Sequence, residues 1–73
     1  MDLHPCDSSE IARFGYDQKS STLALAFHRG GVYSYKDVPE EFFKAFLKSG
    51  SKGAFFHRFI KDKFEFEGPA PSV

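Results

Sequence analysis

A chain of 73 residues is long enough for one domain and too short for two cores, and it lies near the size where a single core only just offsets the entropy of ordering the backbone. Ten phenylalanines and three tyrosines, with no tryptophan, supply the burial, since each aromatic ring can take roughly 150–250 Å² out of water. Ten bases balance ten acids, which argues against indiscriminate polyanion binding, and the lone Cys6 excludes an internal disulfide.

Residues 1–8 are polar and contain Pro5, so a loose leader is expected there. It has neither the basic start nor the apolar stretch of a secretory signal, and no apolar run approaches a membrane span. A cytoplasmic protein is expected. From Ser9 to Tyr16, Ala12, Phe14 and Tyr16 alternate with Ile11, Arg13 and Gly15, which predicts a strand with one larger face. Asp17 to Ser21 reads as a turn, because Asp and Ser side chains bond their own backbone.

Thr22 to Phe27 is the clearest strand, with Leu23, Leu25 and Phe27 on one face and Ala24 and Ala26 on the other. His28-Arg29-Gly30-Gly31 reverses the chain, and Val32 to Lys36 forms a third strand. Loop length decides where Tyr33 and Tyr35 go. A three-residue loop with Gly30 in the left-handed region pairs Leu25 with Tyr33 and puts both tyrosines on the leucine face. A two-residue Gly30-Gly31 loop turns them outward beside the alanines. The three-residue loop is favoured because it leaves small residues, rather than tyrosines, on the outer face.

Pro39 suits the first turn of a helix, where no amide partner is needed. Glu40 and Glu41 then complement the start of the helix dipole, and Lys44 and Lys48 its end. Phe42, Phe43, Phe46 and Leu47 form the apolar stripe, and Gly50 stops the helix near Ser49. Ser51 can cap a second helix carrying Phe55, Phe56, Phe59, Ile60 and Phe64. Gly53 in its first turn costs helix propensity, which a close approach to the first helix or to a ligand would explain. Residues 65–73, with Pro69 and Pro71, are expected to fray. The expected fold is α+β: a three-stranded antiparallel meander followed by two helices packed on one face, a βββαα domain over residues 9–64.

Charge is unevenly spread. Residues 1–43 carry seven acids against four bases, whereas residues 44–63 carry Lys44, Lys48, Lys52, Arg58, Lys61 and Lys63 against Asp62 alone. The helical part is therefore basic, as a binding face or as an ordinary solvated surface. Enzyme motifs are absent: there is no Gly-x-Ser-x-Gly elbow, phosphate loop or His-Glu-x-x-His. His4, His28 and His57 have no metal-site spacing, so no metal and no cofactor are expected. Lys52, Arg58 and Lys61 could meet phosphates, with Gly53 and His57 beside them, and Tyr33, Tyr35 and Tyr16 could stack on bases if they reach the surface. If they do not, they are core residues with hydroxyls at the rim. Free sheet edges offer a further option, addition of another protein or of a second copy.

Ser8-Ser9, Gly15-Tyr16-Asp17, Leu23-x-Leu25-x-Phe27, Gly30, Tyr33-x-Tyr35, Val38-Pro39 and Ser51-x-Gly53-x-Phe55-Phe56-x-x-x-Ile60 together resemble the KTSC domain. That family is named for its occurrence at the C-terminus of some lysyl-tRNA synthetases and also includes small stand-alone bacterial and phage proteins. The resemblance implies a non-catalytic module for which RNA binding has been suggested, with the central Tyr33-x-Tyr35 foremost, then Ser51 and Gly53. His57 stands where related sequences usually have Asn, which would alter such a site or make it sensitive to pH. The expectation is thus an RNA-binding module, for tRNA or single-stranded RNA, using Tyr33, Tyr35, Lys52, Gly53, His57, Arg58 and Lys61, with Pro39 and Ser51 structural. The alternative is a protein-interaction or self-associating module.

Overall fold

The structure, a computed structural model, describes residues 2–70. Five antiparallel strands pair in chain order: β1 (His4–Pro5), β2 (Ile11–Asp17), β3 (Thr22–Phe27), β4 (Val32–Tyr35) and β5 (Phe66–Ala70). Between β4 and β5 run α1 (Glu40–Lys48) and α2 (Lys52–Phe55), and α2 continues into a π-helical turn over Phe56–Ile60. The class is α+β, as the periodicity predicts, but the expected three strands become five.

Both extra strands come from stretches expected to be loose. β1 pairs Pro5 with Arg13 and His4 with Phe14, and β5 pairs Phe66 with Tyr35 and Glu67 with Ser34. Neither shows alternation, because one is only two residues long and the other is interrupted by Gly68-Pro69. Pro69 is tolerated there because β5 is an edge strand, where a missing amide leaves no partner unsatisfied. The ladder extends one step beyond β4, with the Lys36 amide donating to the Glu65 carbonyl at 2.8 Å and the Lys36 ammonium paired with Glu67. The sheet therefore extends past residues 8 and 64 at both ends. Met1 and residues 71–73 lie outside the described residues.

The central hairpin adopts the register of the three-residue loop. Gly30 has φ 107°, its amide donates to the Phe27 carbonyl at 2.9 Å, and the pairs Leu25–Tyr33 and Leu23–Tyr35 follow. In β2 the structure departs from simple alternation. Ile11 pairs with Phe27 but Arg13 pairs with Ala26, so Ala12 is a bulge. One extra residue reverses parity, and Ile11, Phe14 and Tyr16 all face the leucine side. Ile11 consequently becomes fully buried.

Helices roof that side. Phe46 of α1, with Phe56 and Ile60 of the second helix, packs with Ile11, Leu23, Leu25, Tyr35 and Val38 in one cluster. Tyr16 ties the roof to the sheet: its hydroxyl donates to the Val38 carbonyl at 2.6 Å, and its ring stacks on Phe43 with centroids 4.6 Å apart. Pro39 stands one position earlier than expected. Its ψ of 147° makes it the residue before the first helical turn, and its carbonyl accepts from the Phe42 amide at 2.9 Å. Helix α1 ends as Ser49 turns extended and its hydroxyl donates to the Phe46 carbonyl. Ser51 caps α2 by accepting from the Ala54 amide at 3.3 Å.

Candidate functional site

Three consecutive residues leading into β2 hold the turn after β3 against the second helix. The Ser8 hydroxyl accepts from the amides of Glu10 and Ile11, at 3.2 and 3.3 Å, which folds Ser8–Glu10 into a compact strap. Onto this strap the His28 amide donates to the Glu10 carbonyl at 3.0 Å, and the His28 ring reaches the Ser8 carbonyl at 2.8 Å. From the other side His57 Nε2 lies 2.7 Å from Glu10 Oε2. Gly53 is buried against the same strap. A Cβ there would stand 3.1 Å from Glu10 Oε1 and 3.7 Å from Ser8 Oγ. The close approach is thus made by the strap, and not by the first helix as expected.

Beside the strap lies an open groove of about 700 Å³. Its rings come from Phe27, Tyr33, Tyr35, Phe56 and Phe66, and they interlock at edge or tilted angles. Phe66 is 51% exposed, whereas Tyr35 is only 4% exposed. Around these rings stand His28 and Arg29 from the β3–β4 turn, His57 and Lys61 from the helical side, and the acids Glu10 and Asp62. The π-helical turn closes with the Lys61 amide donating to the Phe56 carbonyl at 2.8 Å, a wider turn than an α-helix makes.

Burial, reinforced by the charges of Tyr33 and then Asp62, pushes the Tyr35 phenol up to about 12. The folded state therefore holds this proton more tightly than the unfolded chain. Its contribution is intact below pH about 10 and is lost as the pH rises through about 12. Alkaline denaturation followed by circular dichroism is expected to show this loss, and Tyr35→Phe is expected to shrink it. An unchanged alkaline profile in the variant would place the sensitivity elsewhere.

Four of the seven residues expected to bind nucleic acid, Tyr33, Tyr35, His57 and Lys61, line this groove. The other three do not. Gly53 underlies the strap, Lys52 reaches back to the Leu47 carbonyl at 3.4 Å with its ammonium 6.0 Å from the Phe46 ring, and Arg58 lies over Phe59. Lys44 pairs with Glu40 at 3.6 Å. Residue-by-residue reading missed Glu10, His28, Arg29 and Phe66. The only local signals were the Ser8-Ser9 pair ahead of the strand and the His28-Arg29 pair at the turn. Cys6 is half-buried, and burial pushes its thiol up despite the opposing charge of Lys52, which disfavours the reactive thiolate. Among the described residues no group of three potential metal ligands occurs, and no helix is long and apolar enough to cross a membrane.

The chain matches the KTSC domain family over residues 7–64. It is 43% identical over 61 residues to a lysine–tRNA ligase of Nostoc punctiforme, covering 84% of this chain but only 11% of that enzyme. A protein of Tsukamurella paurometabola is 39% identical over 62 residues, and there the match covers 92% of the relative. Among solved structures, the crystal structure of a KTSC domain protein from Yersinia pestis superposes with a TM-score of 0.91 at 36% identity, covering 94% of this chain and 97% of that one. With the family match spanning the strap, strands β2 to β4 and both helices, this chain belongs to the KTSC domain family.

Proposed function

We propose that this domain is a small RNA-binding module that performs no chemistry of its own and holds single-stranded RNA in the aromatic groove. The observation that carries this reading is Phe66. A half-exposed ring stands in the same groove as Arg29 and Lys61, so a flat base and an adjacent phosphate could be met together. Similarity to part of several lysine–tRNA ligases supports the choice of RNA. On this reading the domain works in the cytoplasm. Edge-to-edge association is less favoured, because each outer strand carries a proline, Pro5 in β1 and Pro69 in β5, which interrupts the row of donors another strand would need.

Anisotropy titrations with labelled tRNA and an unstructured oligoribonucleotide, in low and moderate salt, test the proposal. Phe66→Ala is expected to weaken binding roughly 5- to 150-fold, the loss of one stacked base. Lys61→Gln is expected to reduce the salt slope by about 0.7. Phe59→Ala, which removes an exposed ring outside the groove, serves as the control. Absence of binding even in low salt would refute RNA as the ligand, and light scattering on the same samples would show whether the protein self-associates instead.

A further inference from the structure

The groove has no cationic surplus of its own. Among the residues lining it, Arg29 and Lys61 are offset by Glu10 and Asp62. What remains is His28 from the turn and His57 from the helical side. Both rings have one nitrogen already committed. His28 Nε2 meets the Ser8 carbonyl, which can only accept, and His57 Nε2 meets the Glu10 carboxylate, which when ionised can only accept. In each ring Nε2 is therefore the N–H, and Nδ1 is the atom that gains or loses the second proton. The strap thereby holds two imidazoles in the same tautomer in the lining of one groove.

Resting on the RNA reading above, we propose that the groove is a proton-gated phosphate site: its net positive charge, and with it most of its affinity for an RNA phosphate, arises when His28 and His57 are protonated. With both rings neutral the lining charges sum to zero, and with both protonated they sum to plus two. Imidazoles change charge between about pH 5 and 8, while phosphodiesters keep theirs, so the complementarity belongs to the protein. Glu10 does not defeat the effect. Its single charge is already included in that balance, and its hydrogen bond holds His57 at the groove.

The test uses the intact chain and an oligouridylate, whose bases do not titrate in this range. Affinity is expected to rise on the order of tenfold to a hundredfold between about pH 8 and about pH 5.5, as charge-assisted hydrogen bonds form. The salt slope is expected to steepen by about 1.4, two further phosphate contacts on a single strand. His28→Gln and His57→Gln, each keeping an N–H donor without a titrating group, are each expected to remove about half of the gain. His4→Gln, remote from the groove and packed on Phe14, is expected to remove none. Equal affinity at both pH values would overturn the gate while leaving RNA binding intact. If the oligouridylate does not bind at all, sulfate, a dianion throughout this range, tests the site separately. Sulfate-induced shifts of the His28 and His57 ring signals at about pH 5.5 but not at about pH 8 would support the anion site, and their absence would overturn it.

Discussion

Replacing Phe46 with alanine is expected to leave much of the chain unfolded at room temperature. Phe46 is 0% exposed and is the single buried residue of α1. Its ring meets the edge of Phe14 from β2 at 5.5 Å and of Phe55 from α2 at 6.0 Å, so it joins sheet, first helix and second helix. Truncating a buried phenylalanine costs about 3–5 kcal/mol, and a core in a chain of this length rarely supplies more than that in total. Neighbouring Leu47 is 43% exposed, so Leu47→Ala is expected to change stability far less. Urea denaturation followed by far-ultraviolet circular dichroism measures both. A wild-type midpoint for Phe46→Ala would mean that the roof is not anchored through this ring.

The contrast between Phe46 and Leu47 marks where sequence pattern stops being informative. Spacing identifies the α1 stripe, Phe42, Phe43, Phe46 and Leu47, but only packing against β2 and α2 decides which of its members is buried. The Leu23-x-Leu25-x-Phe27 strand was legible because regular alternation needs only local geometry, and Gly30 made the hairpin register legible with it. Ile11 was not, because a bulge at Ala12 changes which side the strand shows and leaves no compositional trace. The same limit applies to the site. Glu10 and His57 are 47 positions apart and meet only once the helices fold back over the sheet. Counting lysines along residues 44–63 pointed to the helices as a whole, yet Lys52 and Arg58 lie on rings outside the groove, while Arg29, from the acidic half of the chain, lines it.

Gly68→Ala is expected to damage both stability and the groove, because β5 brings in Phe66. Gly68 has φ 135°, a conformation that side-chain-bearing residues rarely adopt, and a Cβ there would stand 2.7 Å from the Val32 carbonyl oxygen and 3.1 Å from Tyr33 Cα. Those are backbone atoms of β4, so no side chain can swing aside to relieve the clash. The conformation alone costs about 1–3 kcal/mol, and the clash adds to it unless β5 moves away from β4. Moving β5 would withdraw Phe66 from Tyr33 and Tyr35, against which its ring now packs at 5.6 and 5.4 Å. Amide exchange is therefore expected to quicken first in β5 and in its partners on β4, with β2 and β3 still protected, and under the RNA-binding proposal affinity is expected to fall at least as far as in Phe66→Ala. Native protection of β5 in Gly68→Ala would show that the edge strand accommodates a side chain at this position, and the groove wall would then owe its place to something other than the close approach of Gly68 to β4.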